Sequence, residues 1–204
     1  DEPDYESKGY TEPIPIDTTR TIKAVVFRSN SEEKLGRTYI QHINFHKAVG
    51  KAISIDKTPH KAYSGSGPEG LVNGISGSDT RYGDKEWLGF WGDDIEITID
   101  FGEDTEFNSL TTRFHNGNGQ WIYAPKGIDV RFVLYDGSIA TDKWKLKNDG
   151  GDIIEFYYES PLIKKLNTKV KSVSLIIYNY GIIPKGKQGA GNKAWTFIDE
   201  IIIN

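Results

Sequence analysis

The sequence contains no cysteine and no methionine among its 204 residues. Without cysteine the chain forms no disulfides, thiolate nucleophiles or zinc–thiolate sites, and a chain of this length can fold on its hydrophobic core alone. Because a primary translation product begins with methionine, we expect the chain to have been processed or excised from a longer one. We therefore expect an upstream domain that is missing from this sequence.

Long apolar runs and an excess of positive charge are also lacking. No stretch approaches the roughly 20 apolar residues of a membrane helix, and the apolar segment Ile201–Ile203 is far shorter. The 25 Lys and Arg residues are balanced by 29 Asp and Glu residues, for a formal net charge of -4, with both signs spread along the chain. We therefore expect no nucleic-acid partner and no membrane insertion.

Strand patterns dominate what is present. Residues 95–101 alternate between apolar and polar, and Ile128, Val130, Phe132 and Leu134 share one face of a second strand. Further candidates, rich in β-branched and aromatic residues, are 21–28, 38–45, 107–114, 153–158, 170–178 and 195–203. Glycine-rich turn clusters lie at 65–68, 116–119, 136–137 and 149–151. The pattern predicts an all-β sandwich.

The character of the sequence changes near residue 46. Residues 1–10 are polar, Pro13 and Pro15 restrict the backbone, and only two convincing strands follow before residue 46. Two strands alone are not independently stable. We therefore predict that residues 1–46 are the tail of a small sandwich whose front is absent, and that residues 47–204 form a larger β-sandwich domain.

The first of these regions resembles a known module. Residues 10–16 (YTEPIPI), followed by 21–24 (TIKA), resemble the small fibronectin-like sandwich near the C-terminus of bacterial chitobiase-like hydrolases. The opening Asp-Glu-Pro resembles the end of a turn in that module, and residues 46–51 (HKAVGK) look like the junction that follows it. The resemblance implies a partial chitobiase-type sandwich over residues 1–46.

The second region is similar to the discoidin-like (coagulation factor V/VIII C-type) fold. The matching segments, in the family's order, are 71–78 (LVNGISGS), 87–90 (WLGF), 97–102 (ITIDFG), 121–125 (WIYAP), 135–137 (YDG) and 195–201 (WTFIDEI). Family 32 carbohydrate-binding modules share this fold, and the variant with Trp-x-Gly-Phe sits at the end of family 20 β-N-acetylhexosaminidases. The resemblance implies a non-catalytic, eight-stranded jelly roll that binds sugar through loops at one end.

The same resemblance implies the partners and the location of the protein. The partners expected from it are a glycan that contains N-acetylhexosamine or galactose and the upstream domain of the same protein. The expected location is extracellular, periplasmic or on the bacterial cell surface. Two alternatives remain: a structural module that packs against a catalytic domain and binds nothing, and a protein-binding discoidin domain.

Sugar recognition requires a flat aromatic platform and planar polar groups, both of which loops supply on a rigid sandwich. The candidates on these grounds are Tyr63, Arg81, Tyr82, His115, Asn116, Gln120, Trp121 and Tyr180. Asp84, Lys187 and Gln188 lie in the same segments. In contrast, Trp87, Trp91 and Trp195 lie in or beside strand motifs, and we expect them to pack in the structure.

Calcium is the one cofactor that the resemblance implies. Its expected ligands are Asn73, Ser78 and Glu200, completed by backbone carbonyls to about 6–8 oxygens. The family's calcium-loop aspartate is Asn73 here, which leaves a single carboxylate. The alternative is a turn without metal, in which Glu200 bonds to backbone amides.

The adjacent Asp199 and Glu200 resemble the catalytic pair of substrate-assisted hexosaminidases. Neighbouring residues on a strand point to opposite faces, and this pair lies in an apolar closing strand. We therefore expect no catalytic residue in this chain.

Overall fold

The computed structural model describes residues 1–106, 108–146, 150–159 and 169–204. It divides into two compact units, Asp1–His46 and Lys47–Asn204, and each is described by itself. The predicted strand over 107–114 and the predicted turn at 149–151 each begin on a residue outside the described ones. None of the helices in the described ranges is both long and apolar enough to cross a membrane.

The smaller unit contains one antiparallel pair of strands, β1 (Arg20–Ala24) and β2 (Tyr39–Ile43), with Ile22 opposite Gln41. Most of its large apolar side chains are exposed. The exposed ones are Tyr5, Tyr10, Ile14, Val26, Leu35, Tyr39, Ile40 and Phe45. Within this unit Tyr5 packs edge-on against Phe27, with ring centroids 5.6 Å apart. The unit has strands but no core of its own among its described residues.

The larger unit is a sandwich of two antiparallel sheets. Its strands are β3 (Ala52–Ile55), β4 (Leu88–Trp91), β5 (Ile95–Thr105), β6 (Ser109–His115), β7 (Gly127–Leu134), β8 (Ile139–Lys145), β9 (Ile153–Glu159), β10 (Val170–Tyr178) and β11 (Trp195–Ile203). One sheet has the order β3-β5-β10-β7-β8 and the other β4-β11-β6-β9. Short 3-10 helices occupy Lys61–Tyr63, Pro68–Val72 and Asn118–Gln120.

The core lies between the two sheets and follows the alternation in the sequence. Ile95, Ile97 and Ile99 on β5 are buried while the residues between them are not, as a half-buried strand requires. From the facing sheet, Phe114 and Ile198 join the same buried cluster. The predicted all-β sandwich is confirmed.

The sequence patterns did not predict three of the strands. β3 has only four residues, and β4 is buried almost throughout, so neither alternates over a recognisable length. β8 is an edge strand whose residues are mostly exposed. The described sandwich accordingly has sheets of five and four strands rather than the expected eight in all.

Several connections lie at the same end of the sandwich because of the directions in which the strands run. In the larger sheet Tyr178, at the end of β10, pairs with Gly127 at the start of β7. In the smaller sheet Trp91, at the end of β4, pairs with Trp195 at the start of β11. The β4–β5 connection spans only residues 92–94, so these ends of the two sheets coincide. We call this the loop end; it carries residues 56–60, 92–94, 116–126 and 179–194.

Candidate functional site

A first group of aromatic rings covers the outer face of the smaller sheet. Tyr63 packs against Phe197 and Trp195 with centroid distances of 4.9 and 5.3 Å. Tyr82 lies 6.0 Å from Tyr63 and 5.7 Å from the ring of His115. Three predicted site residues, Tyr63, Tyr82 and His115, are thus brought together although they come from distant parts of the chain.

His115 lies at the inner edge of this group and is only 5% exposed. Its Nδ1 atom accepts a hydrogen bond from the Gly117 N–H at 3.2 Å, and its Nε2 atom has no hydrogen-bond partner among the described residues. Burial lowers the pKa of His115, although the charges of Asp152 and Asp79 act in the opposite direction. The imidazole is therefore held neutral, with Nε2–H as a donor between the rings of Tyr82 and Trp87.

Arg113 fixes the loop that carries Arg81 and Tyr82. Its guanidinium donates to the Gly77 carbonyl at 2.8 Å and to Asp79 Oδ1 at 2.6 Å, and it also bonds to the buried Asp199 carboxylate. Burial raises the pKa of Asp199 to about 6, although Arg113 acts in the opposite direction. Arg113 therefore has a structural role, because it ties this loop to the buried Asp199 on β11.

The expectation that Asp199 and Glu200 point to opposite faces is wrong in its local geometry. The pairing of β11 with β6 shifts register between Ile198 and Ile201, so the pair lies in a bulge. Gly77 N–H donates to Asp199 at 2.8 Å, and Gly74 N–H donates to Glu200 at 2.9 Å. Both carboxylates thus hold backbone amides of the same loop.

A second aromatic group lies at the loop end. Tyr180 stacks on Tyr123 with centroids 4.6 Å apart and an interplanar angle of 28°. Lys187 Nζ lies 5.6 Å from the centroids of both rings. Tyr123 is almost fully buried, while Tyr180 is partly exposed, so Tyr180 is the ring that can receive a ligand.

Trp121 belongs to the same group and has an unusual backbone. Its φ of 63° and ψ of 20° place it in the left-handed region, which is rare for a bulky side chain. The conformation is held because Trp121 N–H donates to the Asn118 carbonyl and the Trp121 carbonyl accepts from Trp195 N–H. The indole is half-buried and lies 6.2 Å from Trp91, which in turn lies 4.7 Å from Trp195. This chain of rings joins the two aromatic groups.

The remaining predicted polar residues divide by role. Asn116 is buried: its amide donates to the Gly151 carbonyl at 2.8 Å, and its side-chain oxygen accepts from Asn118 and from Ala124 N–H. It therefore shapes the 116–126 loop. Arg81 and Gln120 are exposed, and they remain available to a ligand.

The calcium ligands predicted from the sequence are engaged with protein groups. Asn73 Oδ1 accepts from Ile75 N–H at 2.7 Å, and the Asn73 amide donates to the buried Glu86 carboxylate at 3.0 Å. Ser78 Oγ bonds to Thr80 Oγ1 at 3.3 Å. Among the described residues no group of three or more His, Cys, Asp or Glu side chains has a geometry suited to a metal ion. Calcium stays a prediction.

Comparison with protein-family profiles gives no match, and comparison with curated proteins gives none either. Solved structures give several fold likenesses. The lectin domain of lectinolysin, complexed with Lewis B antigen, is 16% identical over 78% of this chain and 96% of that chain, with a TM-score of 0.48. A fucose-binding module of Streptococcus pneumoniae is 11% identical over 78% and 94%, with a TM-score of 0.43.

A third solved structure is a Clostridium perfringens CBM32 domain in complex with GlcNAc-α-1,4-galactose. It is 10% identical over 78% of this chain and 94% of that chain, with a TM-score of 0.46.

Sequence patterns missed two participants in the site. Tyr123 lies in the segment that was matched to the family fold, but its stack on Tyr180 joins loops 57 positions apart and leaves no local signal. Trp91 lies in a strand motif and is half-buried, yet it links Trp121 to Trp195. Both roles depend on the strand order, which places the loops side by side.

Proposed function

We propose that the chain is a non-catalytic carbohydrate-binding module that binds glycans through the loop end of its sandwich. The observation that carries this proposal is a continuous series of partly buried aromatic rings. Trp121 and Tyr180 lie at the loop end, and Trp91 and Trp195 link Trp121 to Tyr63 and Tyr82 on the outer face of the smaller sheet. A pyranose presents apolar C–H groups on one face, and a fixed aromatic ring offers a complementary surface.

Polar groups around these rings supply the directional contacts. Arg81 and Gln120 are exposed on two different connections, and a guanidinium or an amide can bridge adjacent sugar hydroxyls. His115, whose Nε2 is buried, packs edge-on against Tyr82 and helps to position that ring. The sequence resemblance to family 32 modules supports the same assignment independently of the geometry.

We propose in addition that the module belongs to an exported chitobiase-like or β-N-acetylhexosaminidase-like protein. Its ligand would contain N-acetylhexosamine or galactose, and its location would be extracellular, periplasmic or on the bacterial surface. One support is the resemblance of residues 1–46 to the chitobiase-type sandwich. The other is that apolar side chains of this unit, such as Tyr10 and Ile40, are exposed, as expected for part of a sandwich.

A glycan array with the full chain, followed by calorimetric titration, tests the proposal. We expect a Kd in the millimolar to micromolar range, about -4 to -8 kcal/mol. Trp121→Ala and Tyr180→Ala should each weaken binding about tenfold, whereas Tyr135→Ala, which removes an exposed ring from the opposite end of the sandwich, should not. Titrations that are unchanged by both site variants would contradict the assignment.

The alternative classes give different results in the same experiment. A structural module or a protein-binding discoidin domain would bind no glycan on the array. Hydrolysis of an aryl N-acetylhexosaminide that survives purification and is lost in Glu200→Gln would contradict the non-catalytic assignment.

A further inference from the structure

The two longest connections at the loop end carry positive charge only. Residues 116–126 and 179–194 contain four lysines, Lys126, Lys185, Lys187 and Lys193, and not one aspartate or glutamate. The whole chain has a net charge of -4, so these two connections have the opposite sign to the protein's overall balance. Such a local field attracts anionic ligands.

These four lysines are exposed, and none of them forms an ion pair with a described carboxylate. Elsewhere in the larger unit, lysines such as Lys51 and Lys143 do pair with Glu103 and Asp129. Asp94, on the neighbouring 92–94 connection, is engaged with the Asn179 N–H at 2.8 Å. The charge of these four lysines is therefore not neutralised by an ion pair within the described residues.

The two connections are fixed to each other, so their lysines share one surface. Tyr123 O–H donates to the Gln188 carbonyl at 3.0 Å, and Lys126 N–H donates to the Tyr178 carbonyl at 2.9 Å. Lys126 Nζ lies 3.6 Å from the position that a Cβ atom of Gly181 would occupy. Lys126 and Lys187 thus lie on connections that meet around the stacked tyrosines.

Lys187 lies beside the aromatic rings on which we expect a sugar to stack. Its Nζ lies 5.6 Å from the centroids of Tyr123 and Tyr180, which is cation–π range. A ring stacked on the partly exposed Tyr180 would direct one of its substituents toward this ammonium group. An ammonium with no carboxylate partner favours a negatively charged substituent over a hydroxyl.

We infer that the ligand of this site is an acidic glycan, whose sugar rings carry a carboxylate, and that Lys187 with Lys126 receives that carboxylate. This inference rests on the proposed glycan-binding function and specifies its ligand class. A uronic acid fits the arrangement, since its ring can stack on Tyr180 while its carboxylate reaches Lys187.

Titration of the full chain with oligogalacturonate, and with the same oligosaccharide as its methyl ester, tests the charge directly. We expect the acid form to bind and the ester to bind at least about tenfold more weakly. Binding of the acid should weaken as NaCl is raised from 50 to 500 mM, because salt screens exposed charges. Lys187→Ala should weaken binding about tenfold and Lys187→Arg should retain most of it.

Two controls distinguish a specific site from nonspecific electrostatic attraction of anionic polymers. Lys171→Ala removes an exposed lysine near the start of β10, away from the loop end, and should leave the titration unchanged. Dextran sulfate and single-stranded DNA carry charge without the uronate ring, and binding as tight as that of the oligouronate would overturn the inference. Neutral glycans bound on the array with no uronate binding would overturn it too, while leaving the proposed function intact. Binding of no glycan at all would overturn both.

Discussion

Gly189 lies directly against the indole ring of Trp121. A Cβ atom added at Gly189 would come within 2.5 Å of Trp121 Cδ1, so no side chain fits there while the ring keeps its place. The backbone of Gly189 also has a φ of 82°, which favours glycine. The position of Trp121 is therefore set by the neighbouring connection as well as by its own backbone.

Gly189→Ala should displace the Trp121 ring and weaken glycan binding without removing any aromatic group. Gly186→Ala is the matched control, because Gly186 has a similar φ of 90° but nothing within 4 Å of its Cβ position. Both variants carry the same backbone strain of about 1 kcal/mol. Tryptophan fluorescence and glycan titration should change in the Gly189 variant alone. Equal effects of the two substitutions would show that strain, and not the ring contact, is responsible.

His115 should make stability depend on pH. Its pKa is lowered by burial in the folded state, so near and below the ordinary value of 6.5 the unfolded chain binds a proton that the folded chain does not. Its contribution is therefore fully present above about pH 6.5 and is lost as pH falls through the lower folded-state pKa. Denaturant unfolding of the wild type and His115→Phe over pH 4–8 measures this difference. A free-energy difference between them that stays constant with pH would contradict the shift.

Calcium can be tested without any knowledge of the glycan. If Asn73, Ser78 and Glu200 bind the ion, calcium stabilises the folded state by about 2.7 kcal/mol at a hundredfold excess over Kd. The melting temperature should then rise with calcium and fall back with chelator. Glu200→Gln should abolish the response, while Glu103→Gln, which changes an exposed carboxylate elsewhere, should preserve it. A wild-type melting temperature that does not change when calcium is added would exclude the site.

The two units should behave differently when separated. The fragment 47–204 contains the complete described sandwich core, and it should unfold cooperatively with a near-UV circular dichroism spectrum dominated by its own tryptophans. The fragment 1–46 has one pair of strands and exposes its large apolar side chains, so it should lack a cooperative transition. A sharp thermal transition in fragment 1–46 alone would contradict this expectation.

The sequence allowed most of the sandwich to be predicted because its long strands carry local patterns. β10 and β11 have the bounds expected from their β-branched and aromatic residues, and β5 follows its alternation from Ile95. β8 was missed because it is an exposed edge strand, and β3 because four residues carry too little pattern. Local patterning thus identifies strands that are long and half-buried.

The candidate site was predictable in its residue types but not in its geometry. The sequence pointed to Tyr63, Tyr82 and His115, which pack together, and to Tyr180, which lies in a separate ring group. It gave no sign that Trp121 is left-handed, because one of the two hydrogen bonds that hold this conformation comes from Trp195, far along the chain. Such features depend on which connections become neighbours, and strand order decides that.

The two ends of the 179–194 connection are hydrogen-bonded to each other. Ile183 N–H donates to the Asn192 carbonyl, Ala194 N–H donates to the Gly181 carbonyl, and the buried Asn179 amide bonds to Thr196 Oγ1 at 2.8 Å. Because these bonds are internal to the connection or lie at its root, its tip can be lengthened, shortened or replaced while the sheets keep their pairing. The same tip carries Gln188 and Gly189, which contact Tyr123 and Trp121, so a new tip would change the aromatic surface of the neighbouring connection while the two sheets stay as they are.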